Sequence, residues 1–385
     1  MFRADNDDRS PRLKVAVYSD KPYEHPFLNE ANTRLHSTGK TPGKTPGKPP
    51  QHELVYLGAQ LSAATTDLAR GCAATSIFVG DDASAPVLRA LYANGTRLLA
   101  LRSAGFNHVD VAEADRLGLA VLRVPAYSPH SVAEHAVGLM LTLNRKFHRA
   151  FNRVREQNFA LDGLMGFDMH GKTVGVIGTG RIGEVVCKIL AGFGCRVLAS
   201  DPLKNPICES MGATYVPLQD LYAQSDIITL HCPLNPHTKH LINAAALEAM
   251  KPGVGGVGGV MLINTSRGGV IDTRALIAAL KRGRIGSVGL DVYEEEGDLF
   301  FKDLSEDVIQ DDVFVRLQTF PNVLITAHQG FFTREACTAI AEITIANLSD
   351  FESGTVQEAN RVTTRLVGVA ADPASTTTPA APRKP

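Results

Sequence analysis

The stretch TVGVIGTGRIG, Thr173 to Gly183, decides the fold of the larger part of the chain. Its first five residues are a β-branched apolar run, which is typical of a buried strand. Gly178, Gly180 and Gly183 then follow in the spacing GxGxxG. Apolar residues recur behind them at helical spacing, at positions 182, 185, 186, 189, 190 and 193. The stretch therefore predicts a strand, a glycine turn and a helix in direct succession.

This arrangement is the fingerprint of a dinucleotide site. Gly178 permits the turn, Gly180 lets the backbone approach a pyrophosphate, and Gly183 lets helix and strand pack closely. The start of the helix offers unpaired N–H groups and a positive dipole to the phosphates. The next strand, RVLAS, ends at Asp201, whose carboxylate would accept from the ribose hydroxyls and repel a 2′-phosphate. We therefore predict NAD, in preference to NADP, as the cofactor.

Short apolar runs alternate with helical patterns on both sides of this stretch, which indicates βα units and parallel sheets. The segments that begin at Ser131 and Thr333 have helical periodicity. The predicted strands are LKVAVY from Leu13, SIFV from Ser76, RLLAL from Arg97, LAVLR from Leu119, TVGVI from Thr173, RVLAS from Arg196, DIITL from Asp226, VMLIN from Val260, GSVGL from Gly286 and NVLIT from Asn322.

These series predict an α/β fold of two open parallel-sheet domains with a cleft between them. A flavodoxin-like substrate domain is expected over residues 13–130 plus 327–358, and a Rossmann NAD-binding domain over residues 131–326. Three stretches fall outside this plan because their composition opposes a packed core. They are a low-complexity loop at 39–50, a glycine-rich loop extension at 253–259 and a disordered tail at 370–385.

Composition excludes several other function classes. Lys and Arg number 39 against 40 for Asp and Glu, so the basic footprint of a nucleic-acid or anionic-membrane binder is missing. No window holds the ~18 apolar residues of a spanning helix. The six cysteines form no tight pair, which argues against a metal site or a disulfide framework and fits a reducing compartment. We expect a cytoplasmic protein with a small-molecule partner and no metal.

Three polar residues follow three strands of the second domain. Arg267 comes after VMLIN, Glu296 after GSVGL and His328 after NVLIT, so all three are expected at the ligand-binding edge of the sheet. Hydride addition to a 2-keto acid needs an acid for the carbonyl oxygen and a cation for the carboxylate. An imidazole suits the first task and a guanidinium the second, while a carboxylate beside the imidazole would orient it. Any one of these residues alone would more often be a surface or packing residue.

The chain resembles the D-isomer-specific 2-hydroxyacid dehydrogenase family, and within it the fermentative branch that forms D-lactate. The resemblance runs from about residue 13 to 358, apart from the 39–50 repeat and the 253–259 stretch. It is carried by GTGRIG and by LRSAGFNHVD, VPAYSPHSVAEHA, LHCPL, INTSRGG, GLDVYEEE, DLFFKDLSEDVIQDDVF and TAHQGF. It implies NAD-dependent, reversible reduction of pyruvate to D-lactate and a homo-oligomer, a dimer or a tetramer.

The same resemblance implies roles for individual residues. It makes Arg267, Glu296 and His328 the catalytic set, in agreement with the strand-end argument. It places the substrate carboxylate at the amides of Ala104 and Gly105. The aromatic residues Tyr127 and Phe331 would shape the side-chain pocket. The further NAD contacts that it implies are Arg181, Ile182, Asp201, Cys232, Pro233, Thr238, Thr265 and Asp291.

Two other functions stay open on the sequence. A sibling reductase could act on glyoxylate, hydroxypyruvate or a larger keto acid, and pocket size around Tyr127 and Phe331 would separate it from the lactate-forming enzyme. A binding protein that senses NAD, similar to transcriptional corepressors built on the same scaffold, would carry a peptide groove and nuclear signals. The balanced charge and the lack of a Lys/Arg-rich cluster speak against the second alternative.

Overall fold

The structure, a computed structural model, describes residues 13–37, 52–252 and 258–366. The predicted loop at 39–50, the predicted tail at 370–385 and residues 253–257 of the glycine-rich stretch lie outside the described residues. The chain divides into two compact units, one formed before Pro129 and after Phe332 and the other by Pro129–Phe332. No helix within the described ranges is both long and apolar enough to cross a membrane.

The described residues form twelve strands, all of them short, as strands in globular proteins usually are. They are β1 (Lys14–Val17), β2 (Glu53–Tyr56), β3 (Ala74–Ile77), β4 (Leu98–Leu101), β5 (Ala120–Leu122), β6 (Thr173–Ile177), β7 (Arg196–Ser200), β8 (Thr214–Tyr215), β9 (Ile227–Leu230), β10 (Val260–Asn264), β11 (Ile285–Leu290) and β12 (Val323–Ile325). The α-helices are α1 (His25–Ser37), α2 (Ala85–Ala93), α3 (Val111–Leu117), α4 (Pro129–Arg145), α5 (Phe147–Arg155), α6 (Arg181–Gly192), α7 (Pro206–Ser210), α8 (Leu218–Gln224), α9 (Ala244–Ala249), α10 (Thr273–Lys281), α11 (Asp312–Gln318) and α12 (Arg334–Ser353).

The first unit is a five-stranded sheet in the order β2-β1-β3-β4-β5, with every pair parallel. This is the flavodoxin-like order, so the predicted fold of this unit is confirmed. Alternate residues of β4 point to opposite faces. Leu99 and Leu101 join the apolar cluster that contains residues of α2 and α3, while Leu98 and Ala100 join the one that contains residues of α1 and α12. Both faces of the sheet are therefore covered by helices.

The second unit is a seven-stranded, all-parallel sheet in the order β12-β11-β10-β9-β6-β7-β8. The predicted Rossmann topology is confirmed, because the strand order reverses at β6, which lies between β9 and β7. β10 begins directly after Gly259, and its pairing with β11 shifts register between Val260 and Met261. From Met261 to Asn264 the strand pairs regularly with β9 on its other side. The glycine-rich stretch thus leaves the end of β10 in normal register.

The structure differs from the sequence predictions in three places. The units divide after Ser128 and after Phe332, whereas we predicted borders after residues 130 and 326, because the loop that follows β12 is hydrogen-bonded to Asp291 of the second unit. The periodic segment from Ser131 forms two helices, since Lys146 between them has a left-handed backbone with φ 52°. The strands β2 and β8 were not predicted.

Candidate active site

The glycine turn after β6 requires its three glycines for three different reasons. Gly178 has φ +92°, and a Cβ on it would lie 2.6 Å from the amide nitrogen of Cys232. A Cβ on Gly183 would lie 2.0 Å from the carbonyl oxygen of Gly178, so only glycine lets α6 pack this closely on the turn. A Cβ on Gly180 would meet no atom of the described chain within 4 Å. The open space at Gly180, at the start of α6, is where the fingerprint needs room for phosphates.

Asp201 stands directly after β7 with its carboxylate held by two backbone amides. Oδ2 accepts from the amide of Thr179 at 2.7 Å, and Oδ1 accepts from the amide of Leu203 at 2.8 Å. Each carboxylate oxygen has a second lone pair, so the oriented group can still accept from ligand hydroxyls. Thr265, after β10, is 7% exposed and its hydroxyl has no hydrogen-bond partner among the described residues. An orphan buried hydroxyl at this edge of the sheet fits a ligand contact.

The other residues implied as NAD contacts lie at the same edge of the sheet. Arg181 is the exposed first residue of α6, and Ile182 beside it is half-buried. Cys232 is buried next to the glycine turn, and burial raises the pKa of its thiol to about 11, which keeps it protonated. Pro233 is exposed, and the hydroxyl of Thr238 donates to its carbonyl at 2.5 Å. Asp291 is buried at the end of β11.

Three neighbouring strands deliver the predicted catalytic residues. β10, β11 and β12 are adjacent and parallel, so their carboxyl ends share one edge of the sheet. Arg267 follows β10, Glu296 follows β11 and His328 follows β12. All three residues therefore follow strands that end at one edge of the sheet, as their positions in the sequence predict.

Glu296 and His328 are in direct contact. Nδ1 of His328 lies 2.8 Å from Oε1 of Glu296, and both side chains are largely buried. The other carboxylate oxygen, Oε2, accepts from the amide of Tyr293 at 3.0 Å. The backbone fixes the carboxylate on one side, so it can accept a hydrogen bond from Nδ1. Nε2 of the imidazole is then left to exchange a proton with a ligand. The pair has the arrangement of an acid–base group with its orienting carboxylate.

The loop that carries Arg267 packs against the loop that carries Glu296. A Cβ on Gly268 would lie 2.0 Å from the carbonyl carbon of Tyr293, so the two backbones are in van der Waals contact. Asn264 fixes the Arg267 loop by donating from Nδ2 to the Arg267 carbonyl at 2.9 Å. The guanidinium donates from Nη1 to the carbonyl of Ser266 at 2.6 Å, and within the described ranges its other N–H groups have no hydrogen-bond acceptor.

The residues predicted to bind substrate are divided between the units. Ala104 and Gly105 follow β4 in the first unit, where the Ser103 hydroxyl donates to the Gly105 carbonyl at 2.8 Å. Tyr127 lies in the same unit and is half-buried. Phe331 is 8% exposed and belongs to the second unit. Their roles stay predictions.

Phe301 is an aromatic neighbour of His328 that the sequence did not predict. The ring centroid of Phe301 lies 5.6 Å from that of His328, with the planes tilted by 41°. Phe301 has a left-handed backbone with φ 64°, an unfavourable conformation for a bulky residue that is often kept at functional sites. Periodicity gave no signal for it, because residues 299–311 form no strand and no α-helix.

Comparison with known proteins identifies the family of the chain. Residues 137–330 match the family model described as D-isomer specific 2-hydroxyacid dehydrogenase, NAD binding domain. The chain is 51% identical over 342 residues to the D-lactate dehydrogenase of Escherichia coli strain K12, covering 89% of this chain and 98% of that one.

Two solved structures of D-lactate dehydrogenases match most of the chain. The apo-structure of D-lactate dehydrogenase from Escherichia coli matches with a TM-score of 0.78 and 47% identity, covering 91% of this chain and all of that one. D-lactate dehydrogenase from Aquifex aeolicus, in complex with NAD and lactic acid, matches with a TM-score of 0.76 and 32% identity. The match covers 90% of this chain and 98% of that one. From the matched domain, the shared length and the site at the edge of its second sheet, this chain is a member of the D-isomer specific 2-hydroxyacid dehydrogenase family.

Proposed function

We propose that the protein is an NAD-dependent D-lactate dehydrogenase that interconverts pyruvate and D-lactate. The observation that carries the proposal is the contact between Nδ1 of His328 and Oε1 of Glu296 at 2.8 Å, at the same sheet edge as Arg267. The likeness to relatives named for this activity supports the choice of substrate. A small 2-keto acid or D-2-hydroxy acid is therefore the partner, and the balanced charge of the chain favours neither nucleic acid nor a membrane.

The residues around the glycine turn fit NAD. The pyrophosphate would lie in the open space at Gly180. The ribose hydroxyls would donate to the oriented carboxylate of Asp201. The buried hydroxyl of Thr265 would bind a further polar group of the cofactor. When bound as NADH, the cofactor would supply the hydride for C2 of the keto acid.

The chain's own residues would supply the remaining steps. Arg267 would bind the substrate carboxylate and polarise the carbonyl, since a guanidinium keeps its charge and its planar donors match a carboxylate. His328 would deliver a proton from Nε2 to the carbonyl oxygen. Glu296 would accept a hydrogen bond from Nδ1 and stabilise the imidazolium until Nε2 has released its proton. In the reverse direction the same imidazole would accept the hydroxyl proton of D-lactate.

A panel of keto acids tests the substrate. Pyruvate, glyoxylate, hydroxypyruvate and phenylpyruvate are each assayed by the loss of NADH absorbance, and the lactate formed is resolved by chiral chromatography. We expect pyruvate to give the highest kcat/KM and the product to be the D isomer. A higher kcat/KM for another keto acid would assign the protein to a sibling reductase, and consumption of none would refute the proposal.

Replacing Asp201 with alanine is expected to reduce the preference for NADH over NADPH. A hydrogen bond to a charged group contributes about 1.5–3 kcal/mol, so the KM for NADH should rise by about tenfold or more. The KM for NADPH should not rise, because the carboxylate that repels the 2′-phosphate is gone. The measurement is the ratio of kcat/KM for the two cofactors with pyruvate. Asp220→Ala, at an exposed position in α8, is the control, and an unchanged ratio in Asp201→Ala would contradict the assignment.

We further propose that the protein is a homo-oligomer in a reducing, cytoplasmic compartment. All six cysteines are free thiols, which favours the compartment. The oligomer is supported by an apolar surface of the second unit, here called the α5 patch: Phe147, Phe151, Val154, Phe159, Leu161 and Met165, each more than half exposed. The segment after α5 folds back along it, with Nη1 of Arg153 donating to the carbonyl of Asp162 at 2.7 Å. Several large apolar side chains exposed within one short stretch of the chain are typical of a protein interface, and a second copy of the chain is the occupant we propose.

Phe151→Asp is expected to lower the molar mass in solution toward that of one chain, because a carboxylate in a closed apolar interface has no compensating partner. Light scattering coupled to size-exclusion chromatography measures the mass. Val308→Asp, at another exposed apolar residue, should leave the wild-type mass unchanged. A wild-type protein that elutes as a single chain, or a Phe151→Asp variant of wild-type mass, would refute the proposed interface.

A further inference from the structure

The loop that carries His328 has an unusual backbone. Ala327 and His328 have φ values of 51° and 59°, so two consecutive residues other than glycine adopt the left-handed conformation. A residue with a Cβ enters this region at a cost and stays there only when the surroundings hold it. The groups that hold this loop therefore determine where the imidazole points.

Asp291, 2% exposed at the end of β11, is the group around which the loop is wrapped. Its Oδ1 accepts from the hydroxyl of Thr326 at 2.6 Å and from the amide of Gln329 at 2.8 Å. Its Oδ2 accepts from the amide of Gly330 at 2.8 Å, and its carbonyl accepts from the amide of His328 at 2.5 Å. Oδ1 thus binds residues on both sides of His328, and Oδ2 binds a residue that follows it.

His135, on α4, contacts the carboxylate of Asp291. Its Nε2 lies 3.2 Å from Oδ1 of Asp291 and 3.0 Å from the hydroxyl oxygen of Thr326. The single hydroxyl proton of Thr326 is donated to Asp291, and an ionised carboxylate has no proton to give. Nε2 must therefore carry a proton and donate it, shared between the two oxygens.

The charge balance of the site agrees with an ionised Asp291. Burial alone would raise the pKa of this carboxyl, but hydrogen bonds from His135 and Thr326, and then from Gly330, outweigh it and hold the pKa below its ordinary value. Losing the donor at His135 would leave a buried carboxylate with fewer hydrogen bonds, which is unfavourable.

We propose that His135 is a positioning residue for His328. By donating from Nε2 to Asp291 and Thr326, it fixes the left-handed loop and so holds the imidazole of His328 against Glu296. The effect on turnover rests on the proposed function, whereas the effect on the loop does not.

Two variants of His135 separate the hydrogen bond from the volume of the side chain. His135→Phe keeps a ring and removes the donor, while His135→Gln keeps a donor close to the position of Nε2. In His135→Phe we expect hydrogen–deuterium exchange at the amides of Gln329 and Gly330 to accelerate by at least about tenfold relative to wild type, because their acceptor is no longer fixed. In the same variant, kcat with pyruvate should fall by about tenfold. His135→Gln should recover most of both effects.

Two further variants control the experiment. His130→Phe places the same substitution at an exposed position of α4 and should change neither readout. Thr326→Val removes the hydroxyl that His135 contacts, should accelerate exchange at the same amides, and keeps the test available if His135→Phe does not fold. Unchanged exchange at Gln329 and Gly330 in both His135→Phe and Thr326→Val would overturn the positioning role. Wild-type protein that turns over no keto acid would instead overturn the proposed function, since the exchange measurement needs no activity.

Discussion

Replacing His328 with glutamine is expected to lower the turnover of pyruvate by about 10² to 10⁴-fold, the usual contribution of a general acid or base. Glutamine has a similar reach and can still hydrogen-bond to Glu296, but its amide cannot release a proton to the carbonyl oxygen. The contact of Nδ1 with Glu296 at 2.8 Å orients the imidazole in the wild-type protein, so the lost function is proton transfer and not packing. Steady-state kinetics, followed by NADH absorbance at saturating NADH, measures the loss.

Binding of NADH serves as the internal control for this variant. The dissociation constant for NADH, measured by cofactor fluorescence, should stay near the wild-type value, because the glycine turn and Asp201 are untouched. His170→Gln, at an exposed histidine of the same unit, should keep full turnover. A His328→Gln variant that retains turnover within about twofold of wild type would remove His328 from the proposed chemistry.

The cofactor turn and the strand ends could be predicted because they depend on local features of the chain. The fingerprint requires glycine at positions where a Cβ would collide with the neighbouring backbone, as at Gly178 and Gly183. Consecutive βα units also favour parallel strands with right-handed crossovers, so residues after VMLIN, GSVGL and NVLIT must reach the same edge. That rule brings Arg267, Glu296 and His328 to one edge without any knowledge of side-chain distances.

Other features depend on contacts between residues far apart in the sequence, which no local pattern records. His135 was assigned only to a periodic helix, although its imidazole reaches Thr326, 191 positions away. The edge strand β2 is four residues long and obtains its register from β1, so its own sequence carried too weak a signal. Phe301 reaches His328 from a stretch with no regular secondary structure.

The most consequential residue without a sequence signal is Arg102, at the end of β4. Charged residues are mostly exposed, so nothing in LRSAGF predicts that this side chain is completely buried. Nε donates to Oε1 of Glu24 at 3.1 Å, Nη2 to the carbonyl of Tyr18 at 2.8 Å, and Nη1 to the hydroxyl of Ser76 at 3.2 Å. The guanidinium thereby joins the ends of β1, β3 and β4 just before the loop of Ala104 and Gly105.

Replacing Arg102 with methionine is therefore expected to destabilise the first unit by about 3–5 kcal/mol, the usual cost of removing one partner of a buried ion pair. Methionine fills much of the volume, but it leaves the carboxylate of Glu24 buried without a counterion, and Oε2 of Glu24 already has no hydrogen-bond partner among the described residues. Hydrogen exchange at the amides of β1, β3 and β4 measures the loss of stability within this unit. A single melting temperature of a two-unit chain would not separate this loss from changes in the other unit.

A second substitution tests whether the uncompensated charge is the cause. Glu24→Leu combined with Arg102→Met removes both charges. The double variant should recover a large part of the lost protection from hydrogen exchange, because replacing a buried ion pair by apolar groups often changes the free energy of unfolding little. Arg70→Met removes one partner of the exposed Arg70–Asp67 pair and should have little effect, since water screens such pairs. If Arg102→Met proved no more destabilising than Arg70→Met, the buried pair would not be what holds these three strand ends together.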